Sequence, residues 1–197
     1  MDDTPSLFPE LRQAPAVTEP VGLQYAENAV SPQARDSLVR RFQTLAFAPF
    51  DFRGFKGNRR TVAFGSRYDF THNRVDRADP LPEWLEPLRA AAAAFADIAP
   101  ADLTQALVTE YAPGAGIGWH RDRPEYGKVV GLSFGSACVL RFRRPTDEGW
   151  RRASRPLPPG SAYLLDGPAR EAWQHSIAPG DQLRYSVTFR TLRPRAG

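Results

Sequence analysis

Two of the three histidines in the sequence have neighbours that suit a metal ion. His120 is followed two residues later by Asp122, and His175 lies in a separate β-rich segment. Residues i and i+2 of an extended chain point to the same side, so His120 and Asp122 can reach one ion. Two imidazoles and one carboxylate occupy one face of an octahedral iron(II) and leave its other positions open. Zinc accepts the same ligand types, and a His-x-Asp tripeptide alone is a weak signal.

A second pattern with chemical meaning lies in segment 184–190. Alternation puts two arginines and two hydroxyl side chains on one side of a strand, namely Arg184, Ser186, Thr188 and Arg190. If this side is buried, unpaired charge there costs several kcal/mol, and a dicarboxylate held at each end by forked guanidinium contacts would offset that cost. Alternatively, both arginines face solvent while Tyr185, Val187 and Phe189 fill the core, since a shift of one residue in register exchanges the two sides.

These side chains need strands to position them, and the second half of the sequence supplies eight short β-rich runs. The runs are Gln105–Tyr111, Ile117–His120, Val129–Phe134, Cys138–Arg143, Trp150–Arg155, Ala162–Asp166, Trp173–Ile177 and Leu183–Leu192. Turn residues such as Pro113-Gly114 and Pro179-Gly180 separate them. So many short strands close most economically as an eight-stranded jelly roll, because two packed sheets protect most strand edges. We therefore predict a mainly β fold of the α+β class.

Helical periodicity is confined to the first half of the sequence. Ser31-Pro32 begins a helix over Gln33–Ala46, and a second helix covers Glu83–Asp97. Between them, residues 51–80 interleave arginines with aromatic side chains. Such a segment fits either a lid that stacks on and neutralises a nucleic acid or an ordinary pair of strands with an exposed arginine face. The expected organisation is an N-terminal arm over residues 1–30 and one domain over residues 31–197, with its core at about 102–192.

Charge and cysteine content limit the class of protein. The 197 residues carry 26 basic and 22 acidic side chains, a net charge of +4, and every basic residue except Lys56 and Lys128 is arginine. This bias fits either a polyanionic partner or the codon usage of a GC-rich genome. The single cysteine, Cys138, excludes an internal disulfide framework and a thiolate metal cluster. With no membrane-spanning run and no signal peptide, we expect a cytoplasmic protein without a membrane or disulfide-linked partner, and the oligomeric state stays open.

Several motifs in the same order resemble the AlkB-type iron(II)- and 2-oxoglutarate-dependent dioxygenases, across roughly Arg59 to Leu192. Besides His120-x-Asp122, the distal His175 and the Arg-x-Ser-x-Thr-x-Arg strand, the similar segments are Arg59-Arg60-Thr61-Val62-Ala63-Phe64-Gly65, Glu110-Tyr111-Ala112-Pro113-Gly114, Gly167-Pro168-Ala169-Arg170 and Trp173-Gln174-His175-Ser176-Ile177. Several ordered motifs are more specific than any one alone. The fold that the resemblance implies is a double-stranded β-helix, or jelly roll, with supporting N-terminal helices and a substrate lid.

The resemblance also implies a set of site residues and cofactors. Iron(II) would be bound by His120, Asp122 and His175, with 2-oxoglutarate as co-substrate and dioxygen as oxidant. Arg184 would pair with the distal carboxylate of 2-oxoglutarate, and Arg190 would lie near the carboxylate that chelates the metal. Tyr111 and Ser186 would hydrogen-bond the co-substrate, and Thr109 is a further candidate 2-oxoglutarate-binding residue. Ser186 and Thr109 lie where the family frequently has asparagine, and both keep the capacity to form hydrogen bonds.

The activity implied is oxidative demethylation of N-alkylated bases in DNA or RNA, as in DNA repair. Hydroxylation of an N-methyl group would release formaldehyde, with succinate and CO2 as co-products. Members that repair DNA read the base with an acidic residue shortly after the metal aspartate; here Pro124 takes that place and Glu125 follows. Candidate substrate contacts are Arg60, Phe64, Tyr68 and Glu125, and arginines between 141 and 155 form a second basic cluster. The alternatives are the same chemistry on a protein or small molecule, and a non-enzymatic jelly-roll binding module.

Overall fold

The chain folds around two antiparallel sheets, in a computed structural model that describes residues 19–52 and 55–193. The strands are β1 (Leu23–Ala26), β2 (Ala48–Phe52), β3 (Phe55–Phe64), β4 (Ser66–Asp69), β5 (Arg74–Arg77), β6 (Leu103–Tyr111), β7 (Ile117–His120), β8 (Tyr126–Gly135), β9 (Cys138–Thr146), β10 (Gly149–Leu157), β11 (Ala162–Leu165), β12 (Gln174–Ile177) and β13 (Arg184–Leu192). The helices are α1 (Pro32–Phe42), α2 (Glu86–Phe95) and α3 (Gly167–Glu171). In the described residues, no helix has the length and apolar character needed to cross a membrane.

The larger sheet has seven strands in the order β1-β11-β8-β13-β6-β3-β2, and the smaller has four in the order β10-β9-β12-β7. One apolar cluster lies between the two sheets and includes Val129, Leu140 and Phe142. A second cluster lies between the larger sheet and helices α1 and α2, with Phe42 fully buried in it. The larger sheet is therefore covered on both sides, and the predicted jelly roll with supporting helices is confirmed.

All eight β-rich runs form strands, and the helices differ from expectation at their ends. The first helix stops at Phe42 instead of Ala46, because the Thr44 hydroxyl donates to the Arg41 carbonyl (2.8 Å) and the chain turns there. The second begins as a 3-10 turn at Glu83–Leu85 before α2 continues. Helix α3, which was not predicted from the sequence, has five residues and begins where the Asp166 side chain accepts a hydrogen bond from the Gly167 N–H.

Two segments outside the predicted core also contribute strands. Residues 1–18 of the predicted arm lie outside the described residues, but β1, within that arm, pairs with β11 at the edge of the larger sheet. In the predicted lid, β3 pairs with β6 in the larger sheet, so only β4 and β5 form a separate hairpin. Gly65 makes the break between β3 and β4 at φ 74°, where an added Cβ would lie 2.2 Å from the Thr104 carbonyl oxygen.

Candidate active site

The two histidines singled out in the sequence are brought together by the smaller sheet. His120 ends β7 and pairs directly opposite His175 on β12, so their ring centroids are 4.2 Å apart. Asp122 follows β7 by two residues, and one potential ligand atom from each of the three residues lies within 4.8 Å of the others. One metal ion can contact all three after small side-chain rotations.

The protonation of the cluster suits a cation. The His120 Nδ1 lies 2.9 Å from the Gly118 carbonyl oxygen; a carbonyl only accepts, so Nδ1 carries the proton and the Nε2 lone pair stays free for a metal. Burial, with a further contribution from His120, lowers the pKa of His175 to about 3, so this imidazole is neutral at pH 7. Burial raises the pKa of Asp122, but Arg190 and the histidines more than compensate and hold it well below its usual value.

Strand β13 buries both of its faces from Arg184 to Phe189. Arg184, Ser186 and Thr188 are 4%, 7% and 8% exposed, and register places Arg184 beside Tyr111 and Ser186 beside Thr109. The alternate residues of β13 pack in the cluster beneath the helices, namely Tyr185, Val187 and Phe189. The solvent-facing alternative for the arginine side is therefore wrong, because this side is itself buried while the opposite side packs beneath α1 and α2.

Arg184 has a donor that no described residue satisfies. Its guanidinium carbon lies 4.8 Å from the Tyr111 ring centroid, and its Nε donates to Ser133 Oγ at 3.3 Å. Its Nη1 is buried without a hydrogen-bond partner in the described part of the chain. A carboxylate could accept from this nitrogen and neutralise the charge. The residues present thus fit a carboxylate co-substrate at this end of the site.

Arg190, the second arginine predicted to hold a dicarboxylate, already has hydrogen-bond partners within the chain. Its Nε donates to Asp122 Oδ2 at 3.0 Å and its Nη1 donates to Gln105 Oε1 at 2.9 Å. Gln105 Nε2 in turn donates to the Tyr126 hydroxyl (2.7 Å) and to the Ser66 carbonyl (2.9 Å) at the base of the β4–β5 hairpin. Two forked arginine contacts to one ligand are therefore not what this geometry offers: Arg190 orients Asp122, and Arg184 has the free donor.

Two of the predicted substrate contacts face away from the histidines. Arg60 forms an ion pair with Glu110 (2.6 Å), whose other oxygen lies 3.3 Å from the Tyr185 hydroxyl on the helix-covered side of the larger sheet. Phe64 is buried in the apolar cluster on that side. The preceding residue, Arg59, points to the opposite side: burial lowers its pKa, while Tyr111 raises it and Arg190 lowers it further. Because a strand alternates its sides, Arg59 and not Arg60 shares the side of Tyr111 and Arg190.

The other two predicted contacts, Tyr68 and Glu125, lie around the loop that follows Asp122. The Arg123 guanidinium carbon is 4.2 Å from the Tyr68 ring centroid, and Arg123 also donates to the Tyr68 hydroxyl. Arg123 Nη2 lies 3.5 Å from Glu125 Oε1, whereas Glu125 Oε2 is buried without a partner in the described residues. Arg123 thus connects the hairpin to this loop.

Sequence reasoning did not single out Arg170, which stabilises the same loop. Arg170 is 5% exposed and donates to the carbonyls of Arg123 (2.6 Å), Tyr126 (2.8 Å) and Gly127 (3.1 Å). The only sequence signal for it was its place in the Gly-Pro-Ala-Arg segment. The sequence signal for Gln105 was an amide directly before the apolar residues 106–108 of β6, whereas nothing in the sequence indicated its hydrogen-bond partners.

Tyr163 is a further buried side chain of this interior that sequence reasoning missed. An added Cβ at Gly131 of β8 would lie 2.2 Å from the Tyr163 ring, so the glycine is what lets the ring lie against the sheet. Burial raises the pKa of Tyr163; Tyr111 and Asp122 raise it too, while Arg184 and Arg190 lower it. Its phenol is therefore protonated at pH 7 and can donate a hydrogen bond.

Comparison with known proteins relates the chain to one enzyme superfamily. The family model described as the 2OG-Fe(II) oxygenase superfamily matches residues 22–190. The chain is 28% identical over 169 residues to the Mus musculus tRNA (carboxymethyluridine(34)-5-O)-methyltransferase ALKBH8, which covers 81% of this chain and 24% of that protein. It is 25% identical over 150 residues to the Mus musculus alpha-ketoglutarate-dependent dioxygenase alkB homolog 3, covering 68% of this chain and 52% of that protein.

The chain thus spans about a quarter to about a half of the length of these two relatives. Among solved structures, that of OsALKBH1 has a TM-score of 0.66 at 16% identity and covers 88% of this chain and 99% of that chain, which shows a shared fold. The family match takes in both strands that carry the histidines and the whole arginine side of β13. The chain therefore belongs to the 2OG-Fe(II) oxygenase superfamily as an AlkB-like member, and the cofactors of that family are iron(II), 2-oxoglutarate and dioxygen.

Proposed function

We propose that the chain is a 2-oxoglutarate-dependent dioxygenase that demethylates N-alkylated bases in DNA or RNA. The observation that carries this proposal is the coexistence, in one interior, of the His120, Asp122 and His175 cluster with the unpaired buried donor of Arg184. In this proposal the cluster binds iron(II) and Arg184 binds the distal carboxylate of 2-oxoglutarate. Bound iron(II) and 2-oxoglutarate would supply the dioxygen chemistry that hydroxylates an N-methyl carbon, with succinate and CO2 as co-products. The hydroxymethyl group would then leave as formaldehyde.

The protein's own contribution is orientation. Gly118 fixes the tautomer of His120, and Arg190 holds one oxygen of Asp122, so the cluster is organised before any cation binds. Tyr111, Thr109 and Ser186 line the same side of the larger sheet as Arg184 and can hydrogen-bond the co-substrate. The β4–β5 hairpin, through Tyr68 and Arg123, borders the Asp122 loop, where a substrate base would enter.

Nucleic acid is the substrate class that the similarities favour. One similar relative is named for an activity on tRNA, and another is an alkB homologue. Arg59 and Arg123 add positive charge around the candidate site, and Tyr68 adds an aromatic ring beside it. A base taken out of its stack needs such aromatic and cationic contacts.

A succinate-release screen tests the proposal. The full chain with iron(II), 2-oxoglutarate and ascorbate is incubated with methylated single-stranded DNA, methylated duplex DNA, methylated tRNA and methylated peptides, each beside its unmethylated counterpart. We expect succinate and formaldehyde in equal amounts with at least one methylated nucleic acid, and neither with the His120→Ala variant. Methylation-dependent succinate with peptides alone would overturn the substrate class, and no succinate above the uncoupled background with any of them would overturn the activity.

A further inference from the structure

The outer side of the smaller sheet carries arginines and tryptophans that the candidate site does not use. Leu140 and Phe142 of β9 are buried between the sheets, so the alternating Arg141 and Arg143 point outward. Arg152 of β10 pairs with Arg143 and shares its side. With Trp119 and Trp150, these three arginines form what we call the Arg–Trp face.

Arg143 is held at the centre of this face. Its guanidinium carbon lies 4.5 Å from the Trp119 ring centroid and 4.3 Å from that of Trp150, and its Nε donates to Gln174 Oε1 at 2.7 Å. The Arg141 guanidinium carbon also lies near Trp119, 5.2 Å from its ring centroid. These contacts fix the plane of the Arg143 guanidinium, and within the described residues its two terminal nitrogens make no hydrogen bond, so they can contact a ligand.

The positive charge of the face is not neutralised within the described part of the chain. No carboxylate there lies within 4.0 Å of Arg141, Arg143 or Arg152. Asp147 and Glu148, the acidic residues of the β9–β10 turn, form no such pair either. Oriented guanidinium groups without acidic partners complement a polymer of phosphates.

We propose that the Arg–Trp face binds single-stranded nucleic acid outside the candidate active site. Forked guanidinium groups contact phosphates, and Trp150, which is 45% exposed, offers a ring on which an unpaired base stacks. Trp119 and Gln174 are the chain neighbours of His120 and His175. A nucleic acid bound here therefore lies on the opposite side of β7 and β12 from the candidate metal cluster. The choice of polymer rests on the proposed function, which this face deepens by holding substrate at a second place.

Equilibrium binding of the full chain to a labelled single-stranded dodecamer of uridine, followed by fluorescence anisotropy, tests this inference without turnover. The double variant Arg143→Gln/Arg152→Gln should raise Kd at least about tenfold and lower the slope of log Kd against log salt by about 1.4, since two phosphate contacts on a single strand are lost. The control Arg40→Gln/Arg41→Gln makes the same charge change on exposed positions of α1 and should leave both quantities near those of the wild type.

Trp150→Ala separates stacking from charge. It should weaken binding about fivefold or more with an unchanged salt slope. Equal losses in the two double variants would show a general charge effect, and duplex RNA of the same length bound as tightly as the single strand would show a phosphate-only surface; either result overturns the inference. Unchanged iron(II) binding and circular dichroism establish that the variants are folded. Binding without turnover would refute only the proposed function, whereas turnover with binding unaltered in the variants would refute only the Arg–Trp face.

Discussion

Arg184 determines which kind of ligand the interior of the candidate site can bind. Its side chain is buried with an Nη1 donor that no described residue accepts, and leaving such a donor unpaired costs about 1–3 kcal/mol. A carboxylate that reaches it recovers this free energy on binding. Arg190 differs, because Asp122 already compensates its charge. The two arginines of one strand side therefore have unequal roles, although their spacing makes them look equivalent.

Arg184→Ala should raise the 2-oxoglutarate concentration for half-maximal succinate formation about 10- to 100-fold, because a charge-assisted hydrogen bond is worth about 1.5–3 kcal/mol. Arg184→Lys should fall between the wild type and alanine, since it keeps the charge and loses the fork. Iron(II) affinity should stay within about threefold of the wild type, since the metal cluster is untouched. An unaltered dependence on 2-oxoglutarate would show that Arg184 does not contact the co-substrate.

The histidines provide an internal control for metal binding. His120→Ala removes one of three candidate ligands and should abolish stoichiometric iron(II) binding in an anaerobic titration. His72→Ala is the matched variant, because His72 lies on the β4–β5 hairpin and its Nδ1 is 2.6 Å from Asp69 Oδ2, outside the cluster. It should bind one iron(II) per chain. If His120→Ala retained wild-type affinity, the cluster would not be the metal site.

At the scale of elements, the loop from β7 to β8 depends on a helix that follows it by more than forty residues. Arg170 on α3 donates to the Arg123 carbonyl in this loop and to the Tyr126 and Gly127 carbonyls where β8 begins, and Asp122 lies in the first half of the loop. A buried cation that replaces backbone donors in this way fixes the loop without a regular ladder. The position of Asp122 is thus set from two sides, by Arg190 and by the Arg170-bound loop.

Arg170→Met keeps a long unbranched side chain and removes the donors. The free energy of unfolding should fall by about 2–4 kcal/mol, because buried carbonyls lose their partners. Iron(II) affinity should fall about tenfold or more, as when a group that orients a ligand is removed. Urea denaturation and iron(II) titration measure the two effects. Arg40→Met, at an exposed position, should change stability by less than about 0.5 kcal/mol; a similar small change for Arg170→Met would contradict this role.

At the scale of the whole molecule, the candidate metal cluster exists only when the jelly roll has closed. His120 and His175 are paired across β7 and β12, and Asp122 meets an arginine 68 residues further along the chain. An unfolded chain cannot offer these three groups together. Metal binding should therefore stabilise the native state by mass action.

Manganese(II) is a suitable probe, because it accepts nitrogen and oxygen ligands without turnover. At a hundred times its Kd it should raise the free energy of unfolding by about 2.7 kcal/mol, as measured by chemical denaturation. His120→Ala should show no such gain. An equal gain in both proteins would place the stabilising ion elsewhere.

Much of the architecture followed from alternation and turn chemistry. Local sequence patterns predicted the eight β-rich runs, the His-x-Asp pair at the end of a short strand and the two longer helices. The predicted end of the first helix was less accurate, because the Thr44 hydroxyl donates to the Arg41 carbonyl and so competes with a backbone N–H for this acceptor. Helix α3 was too short to show a period, and β1 depended on a partner far along the chain.

The sequence by itself determined which side chains are available: two histidines and one aspartate that can bind a cation, and a strand rich in arginine. It also determined that the chain has enough strands for a jelly roll. Only the tertiary structure decided which side of each strand meets the site. Arg59 and Arg60 are adjacent in the chain, yet Glu110 and the covering helices direct Arg60 away. Likewise the pairing of Arg190 with Asp122 decided that Arg184 keeps the free donor. Alternation fixes that neighbouring residues lie on opposite sides of a strand, and only packing between layers determines what each side contacts.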